Sequence, residues 1–146
     1  MTSAGGTKAE LKYSDMNSAL LLLRFPELSG RINSELEING ELPYVLFENV
    51  LNPVLREYFG AHDYSGAKTR REQKSALKNA DPLIVRVFDF FEELAASDDE
   101  EVRDLLRVGL LEALYDSSAA YNGARLFMGA KTRSHFEEIA YYINNP

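Results

Sequence analysis

The sequence predicts an all-α protein, a compact bundle of about five to seven helices, and three observations carry that prediction. Apolar residues recur at three- and four-residue spacing along nearly every segment. No segment alternates apolar and polar residues over the length of a strand. Prolines and small polar residues stand where helices begin, at Pro43, Asp81-Pro82 and Ser97. A chain of 146 residues that is 45% hydrophobic and 27% charged suits one soluble domain. Such a chain buries roughly 68–70% of its unfolded surface, which is enough for one core. The expected organisation is a flexible polar tail over residues 1–12 and a single helical domain over 13–146.

Each element follows in turn. Ser14-Asp15 offers a helix cap ahead of Met16, Ala19, Leu20 and Leu23, and Phe25-Pro26 ends that helix. Glu27 to Leu36 reads as a short, weaker helix closed by the Asn39-Gly40 turn. Pro43 opens a longer helix through Phe47, Val50, Leu51, Val54, Leu55 and Tyr58, with a kink or break expected at Pro53. Residues 60–80 read as a loop and then a basic helix from Thr69 to Lys78. Asp81-Pro82 is the clearest helix start. Its helix is apolar on one face through Ile84, Val87, Phe88, Phe91, Leu94 and Ala95, and on another through Val85 and Phe90, so protein should nearly surround it. Ser97 is expected to cap a helix through Val102, Leu105, Leu106, Gly109, Leu110, Ala113 and Leu114. Ala119 to Met128 can hold a further helical turn. The last helix, Lys131 to Tyr142, buries Phe136, Ile139 and either Ala140 or Ile143.

Charge is unevenly distributed. Residues 60–80 carry 5 basic and 2 acidic groups, whereas residues 81–104 carry 2 basic and 9 acidic. That second stretch alone equals the formal net charge of −7. An acidic surface repels nucleic-acid phosphate and attracts basic proteins, so nucleic acid is disfavoured as a partner. The absence of cysteine excludes disulfides, thiolate metal sites and Cys nucleophiles. No apolar run reaches membrane-spanning length, and Met1 to Lys12 has no hydrophobic signal-peptide core, so a cytoplasmic protein with no membrane partner is expected.

Two resemblances add to this. Ser97-Asp98-Asp99-Glu100-Glu101-Val102-Arg103, with Leu105-Leu106 and Leu110-Leu111, resembles the second helix of a HEAT-type repeat. The helix starts at Pro43 and Pro82 lie 39 residues apart, near the repeat period of about 40–47. More broadly, Leu21 to Leu28, the Gly40-Glu41-Leu42-Pro43 step, the Val102/Leu105/Leu111-Glu112 helix and Gly129 to Arg133 resemble a group of small acidic bacterial helical proteins. These look like the immunity proteins of polymorphic toxin systems. That resemblance implies a stoichiometric inhibitor of a cognate protein toxin and offers no catalytic motif to carry over.

No chemistry announces itself. His62 and His135 are the two histidines, and neither lies in a G-x-S-x-G or H-E-x-x-H pattern. The run Asp98 to Glu101 lacks the spacing of a calcium loop. The expectation is therefore no catalytic residue, no metal and no cofactor. The candidate partner-binding residues are Asp89, Glu92, Glu93, Asp98, Asp99, Glu100, Glu101 and Asp104. Acids in a first turn stabilise a helix by about 0.3–1 kcal/mol each, which accounts for Asp98 to Glu101 without any partner. It leaves Asp89, Glu92 and Glu93 unexplained. Tyr115, Tyr121, Tyr141 and Tyr142 serve either core packing or an interface rim. Two functions follow: an immunity protein that fills a toxin's basic cleft with this acidic surface, or a non-enzymatic helical adaptor or self-associating scaffold.

Overall fold

Three phenylalanines in four positions, Phe88, Phe90 and Phe91, cannot all face one side of a helix, so the segment that carries them has to be packed on more than one side. The structure, a computed structural model, describes residues 10–144 and meets this demand with an all-α bundle. Its helices are α1 (Ser18–Arg24), α2 (Ser29–Asn39), α3 (Pro43–Ala61), α4 (Arg70–Lys78), α5 (Pro82–Ala95), α6 (Glu100–Asp104), α7 (Ser118–Phe127) and α8 (Ala130–Asn144). Expectations for residues 1–9, for the Ile143 and Asn144 side chains and for residues 145–146 lie outside the described residues.

α5 buries Ile84, Val87, Phe88, Phe90, Phe91, Leu94 and Ala95. Phe90 meets Phe25 edge-on at 5.6 Å between ring centroids and stacks on Phe47 of α3 at 6.3 Å. Phe88 contacts Phe59 of α3 at 6.2 Å, Phe91 at 5.2 Å and Phe127 of α7 at 5.5 Å. The aromatic residues of α5 thus bind the two halves of the chain into one core, which includes Leu46, Phe47, Val50, Leu51, Leu105, Leu106 and Phe136.

The local signals are satisfied by residues close to those expected. Asn17, not Ser14-Asp15, caps α1, accepting from Leu20 N at 3.0 Å, because Tyr13–Asp15 forms a separate 3-10 turn. α3 runs on through Pro53 without ending. α4 starts at Arg70, one residue beyond its expected start; Thr69 is instead its cap, and Thr69 and Glu72 bond each other's backbone N–H groups in a capping box. Asp99 caps α6, while Ser97 Oγ accepts from Asp99 N at 3.0 Å and donates to Leu11 O at 2.7 Å. That second bond, with the one from Asp98 N to the Glu10 carboxylate, ties residues 10 and 11 of the expected tail to the α5–α6 turn.

One departure is larger. The helix expected through Val102 to Leu114 is α-helical only to Asp104, then widens into π-helical turns over Leu105–Leu111 and tightens into a 3-10 turn over Glu112–Tyr115. Periodicity in apolar residues fits either winding nearly as well. α3 packs close to this stretch: its Asn52 Nδ2 donates to Gly109 O at 3.0 Å, and a Cβ on Gly109 would lie 3.4 Å from the Glu48 side chain.

Two helical glycines predict opposite outcomes. A Cβ on Gly123 would sit 2.7 Å from Cε1 of the buried Phe59 ring, whereas one on Gly30 would meet nothing within 4 Å. Gly30→Ala should gain about 0.5–1 kcal/mol from reduced backbone freedom. Gly123→Ala should lose about 1–3 kcal/mol from overpacking, part of it recovered by Phe59→Leu. Urea unfolding measures both, and equal signs would contradict the close α7–α3 approach.

Candidate functional site

The acidic residues singled out in the sequence separate into two groups once folded. Five have work inside the molecule. Glu92 reaches from α5 to the start of α8, where its carboxylate accepts from Lys131 N at 3.0 Å, Thr132 N at 2.9 Å and Thr132 Oγ1 at 2.8 Å. Burial opposes its charge, but these bonds and the Lys131 charge outweigh it and hold the carboxyl below its ordinary value. Gly129 makes room for this approach, since a Cβ there would lie 2.5 Å from the carboxylate. Glu93 takes a two-pronged bond from Arg24 of α1, at 2.6 and 2.8 Å. Asp99 accepts from Tyr13 N at 2.8 Å as well as capping α6, and both bonds lower its carboxyl. Glu100 pairs with Arg103 and with Arg107, the latter at 2.8 Å. Asp104 accepts from the Tyr44 hydroxyl at 2.7 Å.

The side chains of Asp89, Asp98 and Glu101 are exposed, and their carboxylates make no hydrogen bond or ion pair among the described residues. The continuation of acids onto α5 therefore has a structural cause: Glu92 and Glu93 fasten α8 and α1 to the central helix. Asp89 takes no part in that fastening.

A different acidic strip emerges along the outer side of α6 and the π-helical turns. Glu101 and Glu112 are exposed there with Val108, which retains 48% of its surface, and Asp104 is half-buried between them. Glu48 of α3 lies alongside. Burial, reinforced by the charge of Glu112, raises the Glu48 carboxyl above its ordinary value. Neither Glu48 nor Glu112 pairs with a cation among the described residues. Burial, the bond to Asp104 and the nearby charges of Asp104, Tyr13 and Glu101 all push the Tyr44 phenol up, so several elements feel the same negative field.

Beside this strip, a groove of about 440 Å³ separates the π-helical turns from α8. It is lined by Arg107, Val108, Glu112, Glu138, Ile139 and Tyr142, and Tyr142 stands 65% exposed at its end. Arg107 spans the groove from Glu100 at 2.8 Å to Glu138 at 3.5 Å. An apolar floor edged by charge is the composition of a protein-docking surface. The tyrosines divide accordingly. Tyr115 and Tyr121 stack with the buried Phe136 at 4.5 and 5.3 Å, while Tyr141 and Tyr142 remain at the surface.

Sequence reasoning reached Glu101, Asp104 and Tyr142 but missed Glu48, Val108 and Glu112. Glu112 was discoverable, because it continues the Glu101, Asp104, Val108 face at helical spacing; grouping charge by sequence stretch hid it. Glu48 carried no local signal. His62 stacks on Tyr58 at 4.2 Å with its Nδ1 3.0 Å from Tyr58 O, and His135 Nδ1 is buried without a partner. Among the described residues, no three His, Asp or Glu side chains gather as a metal site, and no helix is long and apolar enough to cross a membrane.

A family match spans residues 18–143, from the first residue of α1 almost to the end of α8. The chain belongs to the DUF7674 family. That family is defined as a domain of unknown function, and no curated protein or solved structure matches the chain. The match takes in the entire acidic strip and groove of this DUF7674 domain, as well as both carboxylate fasteners on α5.

The Glu92 fastener has a testable pH signature. Its native carboxyl lies below its ordinary value, so the charged form contributes stability above the unfolded value of about 4.3. That contribution is lost as pH falls through the native value. At pH 7, Glu92→Ala should cost about 1–3 kcal/mol in denaturant unfolding. Glu92→Gln should cost less, and its deficit should close as pH falls below about 4. A deficit independent of pH would show that the carboxylate charge contributes nothing.

Proposed function

We propose that this DUF7674 domain acts by binding rather than by catalysis, as a toxin-neutralising immunity protein that docks a basic protein surface onto the Glu48–Glu112 strip and the adjoining groove. The single observation that carries the reading is the half-buried Glu48, which pairs with no cation among the described residues while the charge of Glu112 is close enough to raise its carboxyl. Like charges held together cost the free protein stability, and a Lys or Arg from a partner relieves that cost. Val108 and Tyr142 supply apolar contact next to it, the kind of exposed anchor around which interfaces concentrate their energy. The class of partner, a toxin with a basic cleft, comes from the sequence resemblance to immunity proteins. The site's charge is complementary to such a cleft.

The site differs from the one expected. The outer carboxylates Asp98 and Glu101 remain available as a rim, while Glu92 and Glu93 are committed to holding the fold. The variant that isolates the interface is therefore E48Q/E101Q/E112Q, which leaves both fasteners and the Tyr44–Asp104 bond intact.

The test is capture of a partner from the native host at moderate salt, followed by titration of the purified pair. A toxin-class protein retained at one-to-one stoichiometry is the expected result. The threefold variant should bind about tenfold or more weakly, with a flatter salt dependence, while its own unfolding midpoint stays level or rises as repulsion is relieved. Unchanged affinity and salt slope, or retention of this chain alone, would overturn the proposal.

A further inference from the structure

The geometry points to a second site, an anion-binding cleft for a small phosphate monoester, on surface that the acidic strip does not include. The cleft, of about 350 Å³, lies among the loop before α4, α4 itself, α7 and the first turns of α8. Tyr64, Ser65, Gln73, Asn122, Arg125 and Arg133 supply its polar lining, and no carboxylate lines it.

What sets the two arginines apart is that they line one cleft together with no carboxylate between them. The chain has 23 acidic and 16 basic residues, so carboxylates are in excess. Arg24, Arg31, Arg86, Arg103 and Arg107 each pair with one. Arg125 and Arg133, although they line the same cleft, pair with none among the described residues. The Arg125 guanidinium packs 5.5 Å over the Tyr121 ring, which holds it in place without using a donor. None of its donors bonds a protein acceptor among the described residues, and its Nε is sealed from solvent without a partner. Arg133 Nη2 donates to Arg125 O, so the second guanidinium is anchored to the helix that bears the first.

Helix chemistry explains part of this. Cations near the last turn of α7 are favoured by its dipole, and Arg133 satisfies one of that helix's late carbonyls. It does not explain a stacked guanidinium whose donors the protein leaves unanswered. Two guanidinium groups match a dianion with several acceptor oxygens, which favours phosphate over a single carboxylate. Residues 60–80, which contribute the cleft's other wall, add a net charge of +3, the five cations Lys68, Arg70, Arg71, Lys74 and Lys78 outweighing Asp63 and Glu72. The space exceeds what bare phosphate fills, and Ser65, Gln73, Asn122 and Tyr64 line the remainder of it, leaving room for the body of a monoester.

Calorimetric titration of the full chain with phosphoserine, inorganic phosphate and succinate at matched ionic strength tests the assignment. Saturable phosphoserine binding is expected, with inorganic phosphate competing more weakly and succinate failing to compete. Arg125→Gln should weaken phosphoserine about tenfold or more. Arg56→Gln, which removes an exposed arginine outside the cleft, should leave it unchanged. Phosphoserine should also shift amide resonances of Ser65, Asn122 and Arg133 in the unsubstituted protein, a readout that does not depend on any variant folding. Equal affinity in the Arg125→Gln and Arg56→Gln proteins, equal binding of succinate, or amide shifts elsewhere would overturn the proposal.

Discussion

The burial of α5 on more than one side is the constraint from which the rest of the structure follows. Phe88, Phe90 and Phe91 point in directions no single helical face can accommodate, so α3, α7 and the Phe25 turn pack around them. A helix enclosed in this way has few positions open to water. Its polar side chains fall at seams between elements, where a carboxylate must either find donors or remain costly to bury. Glu92 and Glu93 find them, in the first backbone N–H groups of α8 and in the Arg24 fork. Burial of aromatic area thus places the acids, and the acids then fix where α8 and α1 attach.

The same logic separates two kinds of acidic residue that look alike in composition. A carboxylate with three donors is part of the scaffold. Glu48 and Glu112, beside each other without a cation, have no such explanation within the described residues. Net charge therefore describes the chain poorly. Most of the 81–104 excess is answered internally, whereas the repulsion that supports the proposed docking face comes from α3 and from a residue beyond that stretch. At Arg125 and Arg133 the sign is reversed, with two cations in one cleft and no carboxylate beside them. The two proposals rest on one physical idea: like charge gathered at one place in the fold without its counterpart.

The π-helical turns connect fold to surface. The segment leaves regular α geometry just where the Gly109 carbonyl accepts from Asn52 and Val108 faces outward. Wide turns of this kind are frequent at functional sites. Here they coincide with the acidic strip and the groove beside it.

Much was legible in the sequence because it was local. Apolar spacing determined the all-α class and the buried faces of α3, α5 and α8's Phe136 and Ile139; Asp81-Pro82 and Thr69 marked helix starts within a residue. These depend on neighbours three or four positions apart, which the chain order supplies directly. Tertiary structure alone decided which carboxylates are free, how residues 105–111 are wound and which arginines share a cleft. Each of those depends on groups far apart in sequence, Glu92 with Thr132, Asn52 with Gly109, Glu48 with Glu112, whose meeting is set by how the helices pack. A hydrogen bond or a charge repulsion acts over a few ångströms of space, and only the fold converts sequence separation into distance.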